Sequence, residues 1–188
     1  ICNNPGGFTF HGTGTYIIGQ GEVAVIDPGP LDDDHIVALE RAVQGETVTH
    51  ILITHTHRDH SPAAAPFKKS TGAPTYGYGP HGGDRGGPKV EEGGDYEFLP
   101  DHVIKDGDVI EGKGWTFEAI HTPGHTSNHI CFALREENAI FTGDHVMGWS
   151  TSVISPPDGN MSDYMKSLSK ILARKEEIYW PTHGPAIT

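Results

Sequence analysis

Four β-branched or apolar runs of this chain each end in a turn that carries histidine or aspartate. That recurrence constrains the fold more than any other feature. The first run, Val48–Thr54, is apolar through Ile51-Leu52-Ile53 and is followed at once by His55-Thr56-His57-Arg58-Asp59-His60. His125 lies in Thr122-Pro123-Gly124-His125-Thr126, after Trp115–Ile120. Asp144 lies in Thr142-Gly143-Asp144-His145, after Ala139–Thr142. His183 lies in Pro181-Thr182-His183-Gly184, after Glu177–Trp180. Ligand-type side chains at the ends of several strands, gathered by loops, are how a rigid sheet presents a site.

The spacing within residues 55–60 is informative. His55 and His57 are two apart, so at an extended strand end they point the same way. Once the chain turns at Arg58, Asp59 and His60 face the same pocket from a second side. One stretch then offers two pairs of ligands to two adjacent metals. Imidazole with carboxylate suits Zn(II), and also Fe or Mn. Of the thirteen histidines, His11, His35, His50, His81, His102, His121 and His129 show no such pattern and read as ordinary core or surface residues. Arg58 reads as a brace for its own loop. His145 either supports Asp144 or faces solvent. Tyr16 reads as core, and Trp149 is left unassigned.

Between the ligand-bearing turns, strands and helices alternate. Thr15–Ile18 and Glu22–Ile26 form a hairpin about Gly19-Gln20-Gly21. Asp32–Val43 is a helix with an acidic first turn and with Ile36, Leu39 and Val43 on one face. Ser61-Pro62 opens another helix, with Ser61 as cap, which Pro66 shortens or bends. His129–Leu134 is a further strand. Met161–Ala173 is a helix whose Met161, Tyr164, Met165, Leu168, Ile171 and Leu172 form a core stripe. Gly77–Gly94 holds eight glycines and reads as a mobile surface loop. The pattern is α/β or α+β, with sheets packed under helices.

A chain of 188 residues makes one domain with a real core, taken here as 1–188. No apolar run reaches the roughly 18 residues of a spanning helix. The net charge of −12 opposes binding to long RNA or to an anionic membrane surface. Cys2 and Cys131 cannot form a disulfide framework and read as free thiols of a cytoplasmic protein. Residue 1 is Ile, so the native start is expected upstream, and a C-terminal piece is expected beyond Thr188. No Gly-x-Ser-x-Gly elbow is present, and Gly82–Gly87 lacks the Gly-Lys-Ser/Thr ending of a phosphate loop.

These motifs together resemble the metallo-β-lactamase superfamily over nearly the whole chain. Asn4-Pro5-Gly6, Gly12-Thr13-Gly14-Thr15-Tyr16 and Val25-Ile26-Asp27-Pro28-Gly29 carry the likeness into the first strands. The resemblance implies a four-layer αββα sandwich with a dinuclear metal site at one edge. It implies that His55, His57 and His125 bind one metal, that Asp59, His60 and His183 bind the other, and that Asp144 bridges them. An aspartate at 144 points to the branch that resembles hydroxyacylglutathione hydrolase (glyoxalase II). Thr122–Asn128, Phe141–Met147 and the Asp163–Leu172 segment most resemble the beta-lactamase-like protein 2 group, whose human member is an endoribonuclease. Both relatives carry a C-terminal helical region that this chain does not include. Ser150–Asn160 reads as a substrate-side loop.

The implied chemistry is hydrolysis with two Zn(II) ions. A metal-bound hydroxide attacks an ester, thioester, lactone or phosphodiester, and Asp59 orients that hydroxide or takes its proton. A small-molecule ester or thioester fits the acidic chain better than RNA. One alternative is a persulfide-dioxygenase-like oxidoreductase with one iron on two His and one Asp. The other is an endoribonuclease. Oligomeric state is not legible.

Overall fold

The computed structural model of the protein describes residues 1–82 and 93–188. The chain begins with a hairpin, β1 (Tyr16–Gln20) and β2 (Glu22–Ile26), followed by α1 (Asp33–Ala42) and β3 (Thr47–Leu52). Next come α2 (Ala64–Thr71), β4 (Thr75–Gly77) and β5 (His102–Val103). Strands β6 (Val109–Gly112), β7 (Trp115–His121), β8 (Ile130–Leu134) and β9 (Ala139–Gly143) follow, then α3 (Met161–Leu172) and β10 (Ile178–Pro181). They form two five-stranded sheets, ordered β1-β2-β3-β4-β5 and β10-β9-β8-β7-β6.

Side-chain alternation dictates the layering. In β2, Ala24 and Ile26 face the second sheet and pack with Phe117, Phe132 and Phe141, while Val23 and Val25 face the other way, onto Leu39 of α1 and Phe67 of α2. In the second sheet the inner face presents Phe117 and Phe132, and the outer face presents Ile120, Cys131 and Ile140 to Ile171 of α3. Helices therefore cover both outer faces of two stacked sheets, which is the αββα sandwich expected from the sequence.

Strand direction positions the site. β10 runs parallel to β9, β9 antiparallel to β8, and β8 antiparallel to β7. So β7, β9 and β10 share one direction and deliver their following loops to the same edge. β3 delivers its loop from the first sheet to that edge, where Ile130 N donates to Thr54 O across the sandwich at 2.8 Å.

Some local expectations are corrected. α2 starts at Ala64, capped by Ala63, because the Ser61 hydroxyl instead donates to Asp95 Oδ2 at 2.7 Å. Pro66 falls in the first turn, where it removes no helical hydrogen bond. In α3 Ser167 and Ile171 are buried, but Met161, Met165 and Leu172 are exposed, so only part of the apolar stripe is core. Strands β4, β5 and β6 have no counterpart in the sequence reading. Most of the expected Gly77–Gly94 loop lies outside the described residues; Gly77 ends β4, and Gly93 and Gly94 anchor the 55–60 turn.

Candidate metal centre

The 55–60 segment is fixed on both sides. Thr54 N donates to Asp27 Oδ1 at 2.8 Å, Arg58 N to Gly93 O at 2.9 Å, and Gly29 N to His60 O at 2.9 Å. The Arg58 side chain is exposed, and its Nε donates to Gly94 O at 3.2 Å. It braces the loop, as the sequence suggests, through a carbonyl rather than a carboxylate.

The structure brings His55, His57, Asp59, His60, His125, Asp144 and His183 to this one edge, none more than 8% exposed. They form two groups whose donor atoms lie within 4.8 Å of one another: His55, His57 and His125, and Asp59, His60, Asp144 and His183. In the first, His55 Nε2 is 3.1 Å from His57 Nδ1, and His125 Nε2 is 3.2 Å and 3.0 Å from those two nitrogens. In the second, Asp59 Oδ2 is 3.1 Å from His183 Nε2 and 3.4 Å from His60 Nε2. Asp144 Oδ2 reaches both groups, 3.5 Å from His60 Nε2 and His183 Nε2 and 3.7 Å from His125 Nε2.

The far nitrogens decide what the near ones carry. Thr54 Oγ1 donates its proton to Asp27 Oδ2 at 2.6 Å, so it accepts from His55 Nδ1 at 3.1 Å. His125 Nδ1 donates to Val153 O at 2.7 Å, His183 Nδ1 to Gly12 O at 3.3 Å, and His60 Nδ1 to Asp27 Oδ2 at 2.8 Å. In the neutral rings Nε2 is then a lone pair aimed inward. His55 Nε2 and His125 Nε2 converge at 3.2 Å, His60 Nε2 faces the Asp59 and Asp144 carboxylates, and Asp144 Oδ1 is buried with no hydrogen bond among the described residues. Convergent, desolvated lone pairs are costly unless a cation sits among them. The donor set therefore fits a metal pair.

The electrostatics agree. Burial holds the pKa of His55 and His57 well below the ordinary histidine value, aided by the neighbouring imidazoles, so both are neutral as ligands must be. Burial disfavours the charged form of Asp59, but His60 and His183 outweigh it and hold the carboxyl well below the usual range. Asp144 is lowered against burial by His183 and His60. His60 is raised well above its ordinary value, because Asp59, Asp144 and Asp27 outweigh its burial. A cation entering the second group displaces that proton.

Sequence reasoning missed the residues that hold the candidate ligands in place. Asp27 accepts four hydrogen bonds, from Thr54 N, Thr54 Oγ1, His60 Nδ1 and Thr182 Oγ1. His129, read as ordinary, is buried; its Nε2 accepts from Asp144 N at 3.2 Å, and its Nδ1 meets Thr122 Oγ1 at 2.9 Å. Gly143, at φ 53°, admits this contact: a Cβ there would lie 2.7 Å from His129 Nε2. Asn128 ties Thr56 Oγ1 to Gly79 O and Pro80 O. The Ser150–Asn160 loop reaches two of these residues too, through Val153 O on His125 and Ser152 Oγ on Asp144 O. His145 is buried against Tyr164 and does not face solvent; burial lowers its pKa to about 4.

Comparison with known proteins places this architecture. The chain is 35% identical to an atrochrysone carboxyl ACP thioesterase of Paecilomyces divaricatus, over 100% of this chain and 55% of that protein. It thus spans about half the length of the curated relatives it matches. Among solved structures, the B3 metallo-beta-lactamase BLEG-1 is 25% identical with a TM-score of 0.75, over 94% of this chain and 88% of that one. TTHA1623 in a di-iron-bound form is 25% identical with a TM-score of 0.71, over 93% and 88%. Residues 9–183 match the family model for the metallo-beta-lactamase superfamily, and the chain belongs to that superfamily.

Proposed function

We propose that the chain carries the catalytic centre of a metal-dependent thioester hydrolase. His55, His57 and His125 would hold one metal and Asp59, His60 and His183 the other, with Asp144, whose Oδ2 reaches both groups, available to each. The observation that carries the reading is the inward convergence of buried imidazole nitrogens beside a carboxylate whose Oδ2 reaches both groups. When bound, such a metal pair would supply Lewis acidity and would lower the pKa of water beside it from 15.7 to about 7. Asp59, kept ionised by His60 and His183, would take, at the carboxylate oxygen not turned to the metal, the proton that water loses on attacking the carbonyl carbon. The C–S bond then breaks, and the thiol leaves with that proton. The thioesterase named above directs the choice among ester, lactone, phosphodiester and thioester toward a thioester, with the acyl group on a carrier protein or its pantetheine thiol. Zinc, iron and manganese all suit the imidazole and carboxylate donors.

The test is metal content together with turnover. Mass spectrometry of the purified protein is expected to give near two metal ions per chain. Acyl-CoA thioesters and S-lactoylglutathione are expected to be hydrolysed in a chelator-sensitive way. Asp59→Ala is expected to lower kcat at least 100-fold, about the worth of a positioned proton acceptor. One iron per chain, with oxygen consumed on glutathione persulfide, would replace this reading with the dioxygenase. Turnover of single-stranded RNA alone would replace it with the nuclease.

A further inference from the structure

Two aromatic side chains beside the site keep surface open after folding, Trp149 exposed and Phe10 half-buried. Phe10 and Trp149 stack with ring centroids 5.0 Å apart and planes 16° from parallel, and His11 adds a third ring 3.8 Å from Phe10. Trp149 is 38% exposed, and Phe8, in the same turn as Phe10, is 45% exposed. Phe10 takes φ 57°, a left-handed conformation that disfavours a bulky non-glycine residue. An outlier of this kind persists only where the surroundings impose it, and such residues gather at ligand sites.

The surroundings impose it here. Gly6 and Phe10 close a turn by two backbone hydrogen bonds, and Gly12 N donates to Thr9 O at 2.8 Å. The Asn4 side chain clamps Thr13, accepting from its N at 2.8 Å and donating to its Oγ1 at 3.0 Å. That rigid segment joins the metal centre directly: Gly12 O holds His183 Nδ1, and Thr13 Oγ1 is 3.5 Å from Asp59 Oδ2. Phe10 is two residues from Gly12, so their Cα atoms are within about 8 Å. Trp149 reaches the same ligand from the other side. Gly148 N donates to His183 O at 2.9 Å, and a Cβ on Gly148 would lie 2.0 Å from Pro185 O, so the backbone beside Trp149 has one seat. Both rings are thus tied through the backbone to His183 and to each other.

We infer that the Phe10–Trp149 stack is the subsite for the acyl part of the substrate and that it takes a planar aromatic or conjugated acyl group. The stacked pair leaves outer ring faces and ring edges, against which a planar ring system packs by offset stacking or edge-to-face contact and a flexible aliphatic chain does not. This choice of acyl group rests on the thioester reading. The existence of an aromatic subsite does not.

The experiment compares 2-naphthoyl-CoA with decanoyl-CoA, using metal-loaded protein. Wild type is expected to favour the naphthoyl ester in kcat/KM. Phe10→Leu and Trp149→Leu are each expected to lower the naphthoyl-to-decanoyl ratio of kcat/KM about tenfold, mainly through KM. Phe10→Tyr and Trp149→Phe, which keep a ring, are expected to restore most of it. A ratio that stays within twofold of wild type in both leucine variants overturns the proposal, as does a ring-keeping variant that falls as far as its leucine counterpart. If neither thioester is hydrolysed, the thioesterase reading fails, and the subsite is judged by binding alone. Fluorescence anisotropy of 2-naphthoate is then expected to saturate with wild type and to need about tenfold more Phe10→Leu protein. No saturable binding overturns the subsite.

Discussion

Asp27 decides which nitrogen of His60 faces the metal centre. Its Oδ2 accepts from His60 Nδ1 at 2.8 Å and so leaves Nε2 pointing inward, toward the Asp59 and Asp144 carboxylates. The same oxygen accepts from Thr54 Oγ1, which in turn sets the tautomer of His55, so one buried carboxylate orients a ligand in each group. Asp27→Asn replaces an acceptor by an N–H donor facing other donors. It is expected to weaken metal binding about 10–100-fold in competition with a chromogenic chelator, as loss of an orienting hydrogen bond does at other metal sites. An unchanged affinity would remove Asp27 from this role. The convergence of His55, His57, Asp59 and His60 is legible in the sequence because a strand end and a turn bring contiguous residues to one pocket. Asp27 is not, because its partners lie 27, 33 and 155 positions away and nothing local links them. His129 escapes for the same reason: it acts on the backbone N of Asp144, 15 residues on, which no motif spacing encodes.

At the scale of elements, periodicity finds a helix more readily than it finds the side that is buried. α3 has an apolar arc, yet only Ile171 joins the cluster on the outer face of the second sheet, beside Ile120, Cys131 and Ile140. Ser167, polar and absent from the arc, is buried because its hydroxyl donates to Pro123 O at 2.8 Å, next to the His125 loop. The helix is held against that loop by the hydrogen bond and by Tyr164, whose Cα would lie 2.3 Å from a Cβ on Gly124. Ile171→Ala is expected to cost about 2–5 kcal/mol, the range for emptying a packed aliphatic site. Met165→Ala, at a position 52% exposed, is expected to stay within about 0.5 kcal/mol. Urea denaturation of both variants measures the difference; equal losses would mean that Met165 is covered in solution. The long strands are legible because their β-branched runs are bounded by turns. β4, β5 and β6, of three, two and four residues, are too short for alternation to show, and pairing with their neighbours alone makes them strands.

The molecule as a whole concentrates buried histidine, and that sets its response to acid. His35, His50, His55, His57, His129 and His145 all have pKa values lowered chiefly by burial. In the unfolded chain each returns to about 6.5. Below that pH the unfolded state binds protons that the folded state refuses, so stability falls as pH falls. The contribution of these residues is therefore present above 6.5 and is lost below it. His60 and His183 act with the opposite sign: their raised values give a contribution that is fully present below 6.5 and is lost as pH rises through the folded-state value. They add nothing to the loss between pH 6.5 and 5. Asp59 and Asp144, lowered by the same histidines, keep their contribution until pH drops under the ordinary carboxylate value, below this window. The lowered histidines therefore govern the window, and the urea midpoint of metal-free protein is expected to fall steadily from pH 7 to pH 5. Metal steepens the dependence, since the ligand nitrogens must shed protons to bind it, and protons compete for them as pH falls. A metal-free midpoint that is flat or rises between pH 7 and 5 would mean that these histidines are hydrated or protonated in the folded protein.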